Sequence, residues 1–60
     1  MQKIYNVLNK TLDIWAVENI ETWQEAVSIE IDCKRKQPEY EFIIIKIIQT
    51  NRGEIWERYG

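Results

Sequence analysis

Histidine is absent from the 60 residues, and cysteine and proline each occur once. Without an imidazole the chain alone has no histidine general base, no Ser/His/Asp triad and no histidine metal ligand. Cys33 by itself closes no intrachain disulfide and supplies no multi-thiolate zinc site. A disulfide-stapled secreted miniprotein is thereby excluded, and a reducing, cytoplasmic compartment is expected. Two glycines and one proline leave little material for linkers. Long apolar runs are also missing: none exceeds the four residues Phe42 to Ile45, against roughly 18 for a membrane span. No basic segment followed by an apolar block stands at the start, so neither a signal peptide nor a membrane partner is expected.

What is present is a folding composition, 45% hydrophobic and 30% charged, in a chain that leaves no room for a separate catalytic domain. One small domain over residues 1–60 is expected. A chain of this size hides only about 60% of its extended surface, so help from a partner is expected too. The formal charge of −2 is unevenly spread. Residues 1–32 hold six acids and two bases, net −4, whereas residues 33–60 hold four acids and six bases, net +2. The balance is too acidic for a duplex-DNA binder that must neutralise many phosphates, and no direct nucleic-acid partner is expected. Lys34-Arg35-Lys36 reads as a solubilising loop tip.

Periodicity suggests a sheet. Val27, Ile29, Ile31 and Cys33 alternate with Ser28, Glu30, Asp32 and Lys34, which predicts a half-buried strand, with Arg35 to Glu39 as a hairpin connection. From Tyr40 to Thr50, Glu41, Ile43, Ile45, Ile47 and Gln49 line one face and Tyr40, Phe42, Ile44, Lys46 and Ile48 the other. Both faces are largely apolar, as in a central strand. Asn51-Arg52-Gly53 reads as a tight turn with Gly53 at positive φ, and 54–59 as a last strand. Residues 3–8 form a first strand. Between them two readings stand open: an amphipathic helix over 12–26, or a strand over 11–17 followed by a short helix over 19–26. The expected fold class is α+β, a small two-layer domain with one helix on an antiparallel sheet, in the order β-α-β-β-β. Trp15 and Trp23 are expected in the helix-to-sheet seam, and Ile29, Ile31, Ile43, Ile45 and Ile47 in the core.

One helix cannot cover both faces of such a sheet. Tyr40, Phe42, Ile44 and Ile48, joined by Trp56, are expected on the uncovered face, and Trp56, Tyr40 and Phe42 are the expected binding anchors. The acid pairs Glu21/Glu25 and Glu39/Glu41 read as solvated faces, since spacing alone supplies neither divergent environments nor a concave site. Cys33 reads as a small buried hydrophobe. No catalytic residue, metal ligand or cofactor site emerges, so the chain is expected not to be an enzyme.

In overall length and character, with its ladder from Val27 through Thr50 and its surplus apolar face, the chain resembles the Dmd-type family of small T-even phage antitoxins. The resemblance implies an inhibitor made in the cytoplasm of the infected bacterium. Such a protein binds and blocks a host toxin endoribonuclease and so protects phage mRNA. Under it, Glu30 and Asp32 would face the basic residues that normally receive RNA. The alternative is a homo-oligomeric accessory or structural module without nuclease inhibition, a homodimer whose second sheet face is buried against an identical subunit.

Overall fold

Four strands and one helix make up most of residues 2–60, the residues described by the computed structural model: β1 (Gln2–Asn9), β2 (Ile14–Ile20), α1 (Trp23–Lys36), β3 (Phe42–Thr50) and β4 (Gly53–Tyr59). The strands form one antiparallel sheet in the spatial order β2-β1-β3-β4, with the helix on one face. The α+β class and the two-layer arrangement agree with the sequence reading. The element order does not: it is β-β-α-β-β, because residues 14–20 are a strand and residues 27–33 are helical.

The helix has the start and stop signals of its type. Thr22 Oγ1 accepts from the Glu25 N–H at 3.2 Å, satisfying one of the free donors of the first turn. Lys34, Arg35 and Lys36 occupy the last turn, where the dipole favours cations, and Pro38 follows the C-cap Gln37. The three bases therefore end a helix and do not tip a hairpin. Ala26 and Glu30 are its buried residues, with Val27, Ile29 and Cys33 partly buried beside them, at helical spacing. Ile31, expected in the core, points outward and is 49% exposed.

β1 and β2 form a hairpin through Lys10–Asp13. Asn9 Oδ1 accepts from the Leu12 N–H at 3.0 Å, and Asp13 takes φ 57°, a conformation that Asp tolerates. The β3–β4 hairpin turns at Asn51-Arg52, with Thr50 paired to Gly53. Gly53 has φ 120°, as its place in the turn required. Thr50 Oγ1 accepts from the Arg52 N–H and donates to the Gly53 carbonyl, at 3.1 and 3.0 Å, which closes the turn.

Period two along β3 holds as read, but the helix sits on the opposite face from the one expected. Phe42 and Ile44, with Tyr5, Val7, Ile20 and Ala26, form the core beneath α1, and Tyr40 packs against its margin. Phe42 is 2% exposed, so it is a core residue and offers no free surface for an anchor. Ile43, Ile45 and Ile47 form a second cluster on the face without a helix, with Ile4, Leu8 and Trp15. Trp15 is thus a strand residue of that open face and lies outside the helix seam. Trp23, at the start of α1, does pack toward the sheet, edge-on to Tyr5 at 5.8 Å and to Tyr59 at 5.2 Å between ring centroids.

Candidate functional site

The open face is assembled from all four strands by alternation alone. Leu8 stands opposite Trp15 on one side and Ile43 on the other, and Ile47 stands between Ile4 and Trp56. The two indoles therefore start from the two edge strands, at diagonal positions across the central pair. Their length lets them meet: the ring centroids lie 5.6 Å apart at 59°, within the range in which tilted aromatic pairs attract. Beneath this bridge Ile45 is 2% exposed although no helix or second sheet covers it.

The bridge leaves a groove of about 690 Å³, lined by Leu8, Ile14, Trp15, Ile45 and Trp56, with Asp13 and Arg58 supplying its charges. Trp56 is 56% exposed, and its orientation is fixed from behind. Its indole N–H donates to Glu54 Oε1 at 3.1 Å, and the Gln49 amide donates to Glu54 Oε2 at 3.4 Å. A large amphipathic ring held in one orientation by a neighbour loses little entropy when a partner covers it, which is why such rings serve as binding anchors.

Of the residues expected to bind a partner, Trp56 alone lies on this face. Tyr40 and Phe42 belong to the helix side. Glu30 and Asp32 are on α1, across the sheet from the indole bridge, and are not adjacent along any exposed strand. Glu30 is buried: Oε2 lies 3.6 Å from Lys34 Nζ and has no hydrogen-bond donor among the described residues. Asp32 is exposed and paired with Lys36 at 3.0 Å. The structure therefore does not combine these carboxylates with the apolar anchors on one surface. Trp15, Asp13 and Glu54, which share the open face with Trp56, are candidate site residues that the sequence reading did not single out for binding. For Glu54 the available signal was its even spacing with Trp56 and Arg58, and for Trp15 it was the strand over 11–17, one of the two readings left open.

The opposite face carries a smaller aromatic recess of about 170 Å³, formed by Tyr5, Trp23 and Tyr59 around Lys46. Lys46 Nζ lies 3.8 Å from Glu57 Oε1, and the Tyr59 hydroxyl donates to the same oxygen at 3.0 Å. That hydrogen bond, which holds the proton, is the main reason the Tyr59 phenol titrates above its ordinary range. Cys33 is likewise pushed up, first by burial and then by the Asp32 carboxylate, with Lys36 acting the other way. At neutral pH it is a protonated thiol packed against the core, the reverse of an activated nucleophile.

Among the described residues no three His, Cys, Asp or Glu side chains converge as a metal site requires, and no helix is long and apolar enough to cross a membrane. Comparison with protein-family models, with curated proteins and with solved structures finds no match to this chain.

Proposed function

We propose that this chain is an antitoxin-like binding protein that blocks a toxin endoribonuclease by seating its open sheet face on the enzyme, and that it performs no chemistry of its own. One observation carries the reading: a sheet face with its own apolar cluster, no second layer, and a half-exposed indole. Its resemblance in size and character to the small T-even phage antitoxins selects the partner class. In this mechanism Trp56 and Trp15 enter an apolar depression of the nuclease. Asp13 and Glu54, on the same side of the sheet, face basic groups that otherwise hold RNA phosphates. The role expected of Glu30 and Asp32 passes to these two residues, because those on α1 point elsewhere.

The test is affinity capture from infected and uninfected bacterial extracts, followed by reconstitution with the captured nuclease. The purified chain cleaves no RNA and inhibits the enzyme stoichiometrically. Replacing Trp56 by Ala weakens inhibition about 30-fold or more, the scale of a buried aromatic anchor, while Lys36→Ala changes it little. A chain that neither binds nor inhibits a nuclease, and that instead forms a homodimer closing its open face, would establish the accessory-module alternative.

A further inference from the structure

The two edges of the sheet are built differently. Pairing of β2 with β1 shifts register between Tyr5 and Val7 and again between Val7 and Leu8. At this irregularity Asn19 takes φ 61°, and its N–H donates to the Asn6 side chain at 2.9 Å. Irregularities of this kind bend an edge away from further pairing. β4 has no such device. Its register with β3 runs unbroken from Ile44 opposite Tyr59 to Thr50 opposite Gly53, and it contains neither proline nor lysine. All of it except Glu57 is exposed, including Ile55, Trp56 and Tyr59. A straight, uncovered edge with apolar side chains is a template for another strand.

Its charges select the occupant. We infer that β4 pairs antiparallel with β4 of a second copy, about a twofold axis at Trp56, joining the two four-stranded sheets into one. The seven residues Gly53–Tyr59 are centred on Trp56, so this register pairs the whole strand. Glu54 of each copy stands opposite Arg58 of the other, Trp56 opposite Trp56, and Gly53 opposite Tyr59. Two opposite-charge pairs flank the axis on the open face. Among the described residues neither Glu54 nor Arg58 takes part in an ion pair within its own chain, so the second copy gives Arg58 its carboxylate. The neighbouring registers that keep side chains on their own faces are worse. One sets Glu57 against Glu57, and the other sets Arg58 against Arg52 in the turn of the second copy. The joined sheet keeps both open faces on the same side, with Glu54 and Trp56 at the seam as well as on the face proposed to meet the nuclease, so self-association and inhibition are measured separately.

The test is a charge-swap cycle read by sedimentation over a concentration series, together with amide hydrogen exchange. The wild-type chain dimerises with concentration, and protection rises in β4 but not in β2. Glu54→Arg and Arg58→Glu, each alone, set like charges against one another twice by symmetry and weaken self-association about tenfold or more. Mixed together, the two variants form a heterodimer of near wild-type affinity, because both cross-strand pairs then again join one carboxylate to one guanidinium. The double variant, which exchanges the two charges within each chain, self-associates again for the same reason. A chain that remains monomeric, a dimer whose β4 amides stay unprotected, or single variants that dimerise as well as wild type would each overturn the inference. Should one variant fail to fold, the wild-type exchange pattern decides alone. A monomer that still inhibits a nuclease refutes the dimer and leaves the inhibitor proposal standing, and a dimer without inhibition does the converse.

Discussion

Ile44 and Ile45 are neighbours in the same central strand, both 2% exposed, and they are buried by different means. Ile44 lies under a 14-residue helix with its own N-cap and basic C-terminal turn. Ile45 lies under two indole rings that reach in from opposite edges of the sheet. Backbone scaffolding covers the first, and side chains alone cover the second. A small chain can thus dry both faces of a central strand with one helix. The rings that complete the second face remain partly in water and available to a partner.

Truncating either isoleucine removes the core on its own side of β3. Ile44→Ala and Ile45→Ala should each cost about 2 to 5 kcal/mol by chemical denaturation, since each removes buried methyl groups and leaves a cavity. Ile45→Ala should fall nearer the lower end, because Trp15 and Trp56 can settle into the space whereas the helix cannot. A nearly neutral Ile45→Ala would mean that the open face is not a packed cluster. Next in size, Thr22→Ala should cost about 1 kcal/mol by removing the N-cap bond to Glu25, and should loosen the helix side alone. Trp56→Ala should cost less stability than Ile45→Ala, since more than half of the ring is already exposed, while preserving far-ultraviolet circular dichroism. Its main effect belongs in the binding assay.

The smallest expected effect concerns Cys33. Because burial and Asp32 raise its pKa, it holds less thiolate at about pH 8 than an ordinary cysteine does, so alkylation there should be slower than for a free thiol. Alkylation as fast as that of a free thiol would contradict its packing against the core. Replacement by Ser should alter stability modestly and leave partner binding intact.

Much of this architecture was legible in the sequence. The double-faced apolar run of β3 announced a central strand, and the glycine after Asn51-Arg52 announced a hairpin, because those signals are local. The helix was disguised. Between Ala26 and Cys33 its inward stripe carries Glu30, a carboxylate where helical spacing wants an apolar group, and that leaves Val27, Ile29, Ile31 and Cys33 to imitate a strand. Thr22 with Glu25 three residues on, together with the basic run before Pro38, is the boundary signal that marks this segment as a helix. The same imitation reverses the faces of the sheet. With 27–33 taken as a strand, the helix was expected over Ile43, Ile45 and Ile47, and the uncovered face was assigned to Tyr40 and Phe42. The exposure of Trp56 follows from its place near the end of the chain, whereas its contact with Trp15 does not. The meeting of the two rings depends on long-range order across four strands, which no short window of sequence contains.

On the proposed function the open face, and not the helix face, meets the partner. The three tryptophans report on it directly, since Trp15 and Trp56 lie on the open face and Trp23 starts the helix on the other. Each indole N–H gives its own signal in a nitrogen-edited NMR spectrum, and a captured nuclease can be titrated into the labelled chain. Shifts or broadening concentrated in Trp15 and Trp56, with Trp23 left nearly in place, is the result expected. Perturbation of Trp23 while Trp15 and Trp56 stay unchanged would place the partner on the helix face instead.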